Sequence, residues 1–241
     1  MKKDINEFAA TMRKGLFIDL RTTAILLIDV HRGHLDPEVA TYPINPSSVK
    51  RVIDALKKLV TIGRELSLPI IYVIIENRII PGIGREGLIN PFIKAINSLG
   101  ISPSSWGKSG AGSHNIQGSV QTEIIPEIAP LSDDRHFVIR TKRRLSCFNG
   151  TDLDILLRAL RINALLIGGI NTNTCVQCAA FDCFNRDITA VVIEDCVDSM
   201  YGDELHAFAL RNISRCLGWV LSLAELKQKL DHSQKSRLEA D

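Results

Sequence analysis

The sequence lacks a long hydrophobic run. No stretch in its 241 residues approaches about 18 consecutive apolar residues, the length of a membrane-spanning helix. The amino terminus, MKKDINEFAATMRKGL, carries charges throughout and has no apolar segment of the kind found in an export signal. We therefore expect no membrane partner and predict a cytoplasmic protein.

An excess of charge of one sign is also absent. The chain has 29 Lys plus Arg and 27 Asp plus Glu, which gives a formal net charge of +2. Such a chain has no strong field with which to hold a nucleic-acid backbone, so nucleic acid is not an expected partner. Hydrophobic residues make up 45% of the chain and charged residues 23%, a balance that excludes a disordered protein and indicates a globular one.

Complete motifs for a metal or a nucleotide cofactor are missing as well. We expect the six cysteines to be free thiols, because no export signal precedes them. Cys175 and Cys178 form a C-x-x-C, but no second C-x-x-C or histidine pair completes a zinc site, and the glycines of ALLIGG lack the rest of a dinucleotide-binding loop. For His31 and His34, a role in the loop or in substrate contact is favoured over a metal site. We therefore expect no metal and no cofactor.

Apolar runs suited to buried parallel strands alternate with amphipathic stretches, which is the pattern of βαβ units. Strands are predicted at residues 23–30, 69–75, 136–140, 164–169, 189–193 and 219–221. Helices are predicted from Ser47 or Ser48 through Gly63, and at about 151–160, 175–186 and 203–213. The predicted fold class is α/β, a doubly wound, mainly parallel six-stranded sheet with helices on both faces.

We predict one domain over residues 1–241, with two irregular parts. Between about 77 and 120 the regular pattern gives way to glycine-, proline- and serine-bearing sequence, including PGIGREG and SWGKSGAGSHN. A connection of this length inside a compact domain predicts a functional cap with short helices of its own, one of them at 91–97. Residues from about 232 to 241 are predicted to form a frayed polar tail.

Chemically capable side chains follow three of the predicted strands, at the ends where open parallel sheets bind ligands. Asp29 closes the first strand, Lys142 follows HFVIR by two residues, and Cys175 follows ALLIGG through a short turn and begins a helix. A helix amino terminus and a nearby lysine both favour a thiolate. A carboxylate can take the thiol proton and return it to a leaving group. This pattern predicts Cys175 as a nucleophile and Asp29 as its acid and base.

The residues around these positions resemble those of the isochorismatase-like cysteine hydrolases, which include N-carbamoylsarcosine amidase, biuret hydrolase, ureidoacrylate amidohydrolase and nicotinamidase. The resemblance rests on TAILLID ending at Asp29, TKRRLSCFNGTDLDILLRAL around Lys142 and LLIGGINTNTCV leading into Cys175. It covers most of the chain except about residues 1–20, 77–115 and the tail. The resemblance implies a Rossmann-like three-layer sandwich and a homo-oligomer, either a dimer or a tetramer.

The resemblance also implies a mechanism. Asp29 is the base, Lys142 orients the groups and stabilises charge, and Cys175 attacks the carbonyl of a small amide, carbamoyl or ureido compound. Ammonia or an amine leaves, and water hydrolyses the thioester. The backbone amides of Asn171 and Cys175 form the oxyanion hole, beside a cis peptide bond between Ile170 and Asn171.

The chain departs from the family pattern at two places. After the first strand it has Asp29-Val30-His31-Arg32 where many members have Asp-Met-Gln-Asn, and after the second strand IENRIIPGIG replaces the metal ligands typical of nicotinamidases. The arginines near the predicted site suggest an anionic or carbonyl-rich substrate; they are Arg32, Arg143 and Arg144. The candidate substrate contacts are His31, Arg32, Trp106, Ser146 and Phe148.

Two alternatives to a hydrolase stay open. The first is a catalytically silent domain that keeps the fold for binding or as a scaffold. The second, which is less favoured, is a thiol redox protein that uses Cys175 and Cys178. Retention of the acid, the lysine and the nucleophilic cysteine together favours the hydrolase.

Overall fold

The computed structural model describes residues 5–107, 113–132 and 135–238. The strands, in chain order, are β1 Thr23–Ile28, β2 Ile70–Ile75, β3 Ile79–Ile80, β4 Gly84–Arg85, β5 His136–Lys142, β6 Ala164–Ile170, β7 Thr189–Asp198 and β8 Trp219–Leu221. Six of them form one parallel sheet in the order β5-β2-β1-β6-β7-β8, while β3 and β4 form a separate antiparallel hairpin. Because the strand order runs outward in both directions from β1 and β6, the predicted doubly wound parallel sheet is confirmed.

The helices cover both faces of this sheet. In chain order they are α1 Ile5–Gly15, α2 Arg32–Leu35, α3 Pro46–Glu65, α4 Pro91–Ser98, α5 Leu153–Ala159, α6 Gln177–Phe184, α7 Asp203–Asn212 and α8 Leu223–Leu238. Helices α3 and α8 contribute to the core on one face, and α5 and α6 contribute to the core on the other. None of the helices in the described part of the chain has the length and apolar character needed to span a membrane.

The pleat of β1 explains why its whole apolar run is buried. Ile25 and Leu27 pack into the core beneath α3, whereas Leu26 and Ile28 pack into the core beneath α5 and α6. Successive side chains of a strand point to opposite faces, so a strand between two helix layers needs apolar residues at every position. The continuous run TAILLI therefore places β1 in the middle of the sheet.

Helix α3 begins differently from the sequence prediction. Asn45 is its N-cap, and the side chain of Asn45 accepts a hydrogen bond from the backbone N–H of Ser47 at 3.1 Å. The predicted caps Ser47 and Ser48 are wrong because Pro46 occupies the first helical position, where its missing N–H costs nothing.

Strand β7 runs five residues further than predicted. Glu194 and Asp195 interrupt its apolar pattern, but after an irregularity its pairing with β6 resumes at Val197 and Asp198. The alternation of a strand thus continues past the polar pair that suggested its end.

The cap and the tail are partly described. The cap contains the β3–β4 hairpin, a short turn at Glu86–Ile89 and α4, close to the helix predicted at 91–97; its residues 108–112 lie outside the described part. The predicted polar tail is instead helical as far as Leu238, because α8 is held to the core by Leu226 and Leu230; residues 239–241 lie outside the described part.

Candidate active site

Three strand ends bring an acid, a lysine and a cysteine into contact. The Nζ of Lys142 donates to Oδ2 of Asp29 at 2.6 Å and to Sγ of Cys175 at 3.3 Å. Asp29 and Lys142 have no exposed surface, and Cys175 exposes 4%. Lys142, at the end of β5, reaches past the end of β2 to meet residues that follow β1 and β6. The sequence predicted these three side chains at the carboxyl ends of the parallel strands, and the structure brings them into contact there.

The backbone holds the Asp29 carboxylate in a fixed orientation. Oδ1 accepts the N–H of Ile75 at 2.7 Å, while Oδ2 faces Lys142. Asp29 has φ 52°, in the left-handed region that aspartate tolerates better than most residues, and its own N–H donates to the carbonyl of Val73 at 2.9 Å. The adjacent strand β2 thus fixes both the backbone and the side chain of Asp29.

Lys142 is charged in spite of its burial. Burial alone would lower the pKa of Lys142, but the negative charge of Asp29 and the neighbouring thiols Cys175 and Cys147 raise that pKa above the ordinary lysine value. The result is a permanent ammonium between the carboxylate and the sulfur.

Cys175 is a neutral thiol at rest, contrary to the sequence argument for a favoured thiolate. Burial raises the pKa of Cys175 to about 12, because the opposing effect of Lys142 is outweighed by burial together with the charge of Asp29. Cys175 lies in the π-helical turn Thr172–Val176, and the regular helix α6 begins only at Gln177. The site therefore requires a base to activate the thiol when it reacts, and the only carboxylate on the same ammonium is Asp29 in the described part of the chain.

The turn that carries Cys175 is tied to the segment after β7. The peptide bond between Ile170 and Asn171 is cis, as the resemblance implied. Oδ1 of Asn171 accepts the N–H of Met200 at 2.9 Å, and Oδ1 of Asn173 accepts the hydroxyl of Ser199 at 2.6 Å. These bonds orient the backbone around the amides of Asn171 and Cys175, whose oxyanion-binding role stays a prediction.

A cluster of buried histidines lies beside Asp29, Lys142 and Cys175. The rings of His31 and His34 stack 4.8 Å apart, and the ring of His114 lies 5.4 Å from that of His34. Burial lowers the pKa of all three, which keeps them neutral at neutral pH. Nδ1 of His34 lies 2.8 Å from the carbonyl oxygen of Tyr42, so this nitrogen carries the proton. Within the described ranges, no group of three or more His, Cys, Asp or Glu side chains is arranged to hold a metal ion.

Two predicted substrate contacts have structural partners of their own. Ser146 donates to Oδ2 of Asp182 at 2.6 Å and accepts the backbone N–H of Phe148 at 3.1 Å. Phe148 exposes 4%, belongs to the core beside α6, and is covered by the guanidinium of Arg186 at 4.5 Å from the ring centre. Both side chains thus have partners within the protein, and their contact with substrate stays a prediction.

The other predicted substrate contacts are Arg32, Trp106 and His31. Arg32 is held by Asp36 at 2.8 Å and by Glu123 at 3.2 Å, so its guanidinium is already paired. Trp106 is half-buried in a cap segment whose neighbouring residue, Ser105, donates its N–H to the carbonyl of Met200. That segment contacts the loop that supports the Cys175 turn. His31 lies two residues after Asp29 in the sequence. Trp106 and His31 therefore stay candidates.

Two residues of this region had no sequence signal. His114 lies in a low-complexity stretch, and Arg85 stands in PGIGREG, where nothing distinguishes it from an exposed arginine. Their positions depend on how the cap packs against the carboxyl ends of the strands. Such packing joins residues that are far apart in the sequence, so no local pattern indicates it.

Comparison with known proteins finds one matching family model and several similar sequences. The family described as Isochorismatase domain matches residues 23–225. A ureidoacrylate amidohydrolase from Caulobacter segnis is 27% identical over 225 residues, covering 87% of this chain and 86% of that protein. Another, from Acinetobacter baylyi, is 27% identical over 230 residues, covering 88% of this chain and 85% of that protein.

Two solved structures share the fold. A cysteine hydrolase from Pseudomonas syringae has a TM-score of 0.71 at 20% identity and covers 90% of this chain and 96% of its own. An N-carbamoylsarcosine amidase from Thermoplasma acidophilum has a TM-score of 0.59 at 22% identity and covers 83% of this chain and 96% of its own. At these identities the likeness establishes the three-layer α/β architecture.

Proposed function

Since the chain belongs to the isochorismatase family, we propose that it is a cysteine-dependent amidohydrolase that cleaves a C–N bond outside peptides in a small amide, carbamoyl or ureido compound. One observation carries the proposal: a buried ammonium, that of Lys142, touches both the carboxylate of Asp29 and the sulfur of Cys175. The relatives named as amidohydrolases support the same reaction class.

In the acylation step, Asp29 removes the proton of the Cys175 thiol as the sulfur attacks the substrate carbonyl. The new S–C bond gives a tetrahedral intermediate whose oxyanion is bound by the backbone amides of Asn171 and Cys175. Asp29 then donates the proton to the substrate nitrogen, the C–N bond breaks, and ammonia or an amine leaves. Lys142 keeps its charge throughout, so the carboxylate and the transient thiolate both stay compensated in a buried site.

In the deacylation step, the same carboxylate acts on water. Asp29 takes a proton from a water molecule as the oxygen attacks the thioester carbonyl, and the proton returns to the Cys175 sulfur as the C–S bond breaks. The products are a carboxylic or carbamic acid and the resting thiol, which restores the state that burial favours.

The test is release of ammonia or amine from a panel of small amides and ureido acids. Wild type should turn over at least one compound, and Cys175→Ala should abolish turnover. Cys178→Ala is the matched control, because Cys178 is half-buried and its sulfur has Oδ2 of Asp182 as its hydrogen-bond partner at 3.9 Å, whereas the ammonium of Lys142 donates to Cys175.

The same panel separates the two alternatives. If Cys178→Ala abolishes activity as fully as Cys175→Ala, the thiol redox role gains the support that the hydrolase loses. If no compound is turned over and intact mass shows no acyl adduct at Cys175, the silent binding domain replaces the proposal.

A further inference from the structure

Ion pairs hold the backbone on one side of the site. Glu86 in the cap pairs with Arg78 at 2.8 Å and with Arg143, just after β5, at 3.1 Å. The other side is held differently, because the turn Thr172–Val176 that carries Cys175 contains no charged side chain. Hydrogen bonds between neutral groups therefore fix the position of that turn.

One such hydrogen bond joins the turn to helix α7, which packs against it. Thr172, the first residue of the turn, has no exposed surface, and Oγ1 of Thr172 lies 2.8 Å from Nδ1 of His206 on α7. In the described part of the chain, His206 is the sole hydrogen-bond partner of this hydroxyl. The bond connects two elements that are 34 residues apart in the sequence.

The direction of this bond follows from the burial of the hydroxyl. A buried hydroxyl hydrogen without an acceptor costs free energy, and Nδ1 of His206 is the acceptor within its reach. Thr172 therefore donates and His206 accepts, which assigns the proton of the neutral ring to Nε2. A protonated ring carries hydrogen on both nitrogens and cannot accept. The bond in this form exists only while His206 is neutral.

Thr172 is also the residue through which the turn is closed. Its carbonyl accepts the N–H of Gln177, and the carbonyl of Asn171 accepts the N–H of Val176 at 3.1 Å. Cys175 lies inside both of these closed loops. A hydrogen bond that restrains Thr172 therefore also restrains the backbone amides of Asn171 and Cys175, the pair proposed to bind the oxyanion.

The surroundings of His206 favour the neutral ring. Burial lowers the pKa of His206; the charge of Asp198 opposes this shift, Arg51 adds to it and Asp203 opposes it. These three charged groups face the ring from β7, α3 and α7, and Asp198 is itself paired with Arg51 at 2.8 Å. With its pKa below the ordinary histidine value of 6.5, the ring is neutral at neutral pH.

We infer that His206 is a positioning residue for the reaction, which accepts the hydroxyl of Thr172 and thereby holds the turn that carries Cys175 and the oxyanion-binding amides. The inference rests on the proposed function, because it assigns a role in the reaction of that same site. The amides of the turn are needed most when the oxyanion forms, so loss of the restraint should lower kcat and leave KM almost unchanged.

The first test compares variants that keep the acceptor with variants that remove the bond, on the panel compound that wild type turns over fastest. His206→Ala and Thr172→Val should each lower kcat by about 10- to 100-fold and leave KM within about threefold, since a small displacement of the reacting groups is costly. His206→Asn should stay within about threefold of wild type, because the amide oxygen of asparagine can accept in place of Nδ1. The His206→Ala/Thr172→Val double variant should lose no more than the more severe single change, since both remove the same bond.

The pH profile separates this role from simple packing. In wild type, kcat/KM should hold at neutral pH and fall on the acid side as His206 gains a proton. NMR titration of the His206 ring in the Cys175→Ala protein should give the midpoint of that fall. His206→Asn has no group to titrate there, so its acid-side loss should move to lower pH. Identical acid-side profiles in wild type and His206→Asn overturn the inference.

Leu210→Ala is the matched control for lost packing. Leu210 lies one turn further along α7 and packs against the core, so the change should lower the Tm and leave kcat within about twofold. His206→Ala with a lowered Tm and wild-type kcat marks a structural histidine and overturns the inference, as does His206→Asn that is no more active than His206→Ala. If His206→Ala does not fold, Thr172→Val and His206→Asn decide.

Alkylation of Cys175 distinguishes failure of this inference from failure of the hydrolase. Without the bond the turn should open more often, so iodoacetamide should label Cys175, which exposes 4%, more than about threefold faster in His206→Ala and Thr172→Val than in wild type. His206→Asn should match wild type, and the exposed Cys216 is the internal reference. That order supports the role of His206 in holding the turn even if wild type turns over nothing. Equal labelling rates in all four proteins overturn it, and a wild type that turns over amides leaves the hydrolase standing.

Discussion

At the scale of single residues, the position of one ammonium determines the resting state of the site. Lys142 touches Asp29 and Cys175 where neither has more than a trace of exposed surface. The buried pair of Asp29 and Lys142 is compensated only while both are present, whereas Cys175 is neutral because its pKa is raised to about 12. Lys142 therefore matters for stability because it compensates the buried carboxylate of Asp29, and for reactivity because it contacts the sulfur of Cys175.

Replacing Lys142 should expose the cost of the buried carboxylate. Lys142→Met leaves Asp29 without its counter-charge, and we expect it to lower the free energy of unfolding by about 3 to 5 kcal/mol. Asp29→Asn/Lys142→Met should recover a large part of that loss, because no charge stays uncompensated. Urea unfolding of the single and double variants measures the coupling. A double variant that is destabilised by the sum of the two single changes would contradict it.

The resting thiol predicts a particular pattern of alkylation. Because the raised pKa of Cys175 keeps the thiolate fraction small at neutral pH, its reaction with iodoacetamide should keep rising with pH between about pH 6 and 9 and reach no plateau. Cys216 is exposed and serves as the internal comparison, reacting first at every pH. Peptide mass spectrometry follows both sites. A plateau for Cys175 below about pH 8 would mean that the free enzyme holds a thiolate.

At the scale of elements, the ends of β1, β5 and β6 position the site and impose narrow local requirements. Where β6 passes β1, a side chain on Gly169 would place its Cβ 2.0 Å from the carbonyl oxygen of Ile28, and Gly169 has φ 130°. The approach of these two backbones brings the turns after Ile28 and Ile170 together. Glycine is the residue that permits it.

Gly169→Ala should therefore be severe. We expect a loss of more than about 3 kcal/mol in the free energy of unfolding, since both the backbone conformation and the contact with Ile28 are disfavoured. Gly100→Ala is the matched control: Gly100 also has a positive φ, of 63°, but nothing lies within 4 Å of its added Cβ. It should lose only about 1 kcal/mol. Equal losses in the two variants would show that the close approach is not what Gly169 protects.

The cap of α3 provides a second test at this scale. Asn45→Ala should lower the free energy of unfolding by about 1 kcal/mol, because it removes the acceptor for the Ser47 N–H. Ser48→Ala, at a position that the sequence pattern also favours, should change it by less than about 0.5 kcal/mol. Thermal or urea unfolding decides. The reverse order would restore Ser48 as the cap.

At the scale of the whole molecule, one sheet separates two cores. Leu56 of α3 packs on one face and Leu157 of α5 on the other, and both are almost fully buried. The two cores share the strands of the sheet, so they are expected to unfold together as one domain.

Variants on opposite faces should then act independently on one transition. Leu56→Ala and Leu157→Ala should each lower the free energy of unfolding by about 2 to 5 kcal/mol. The double variant should equal their sum within about 0.5 kcal/mol, since the two side chains belong to separate clusters. Circular dichroism and fluorescence in urea should give one midpoint. Two midpoints would indicate that the faces unfold separately.

The sequence allowed the sheet, and the meeting of Asp29, Lys142 and Cys175, to be predicted, because both follow from apolar runs and from the side chains that come after them. The run TAILLI marks a central strand, and Asp29 stands where such a strand must end. Asn45 and the π-helical turn Thr172–Val176 were missed because a proline and a tertiary contact override local preference. Arg85 could not be found from the sequence at all, because its burial is created by residues far away along the chain.

The double pairing of Glu86 also matters for anyone who would redesign this protein. Glu86 pairs with Arg78 in the cap and with Arg143, the residue after Lys142, so one carboxylate links the cap to the strand that carries Lys142. In a library that randomises the exposed residues of the cap and retains Glu86, Arg78 and Arg143, the cap should keep its position relative to Asp29, Lys142 and Cys175. New selectivity could then be sampled by exchanging one segment, with the chemistry below it left untouched.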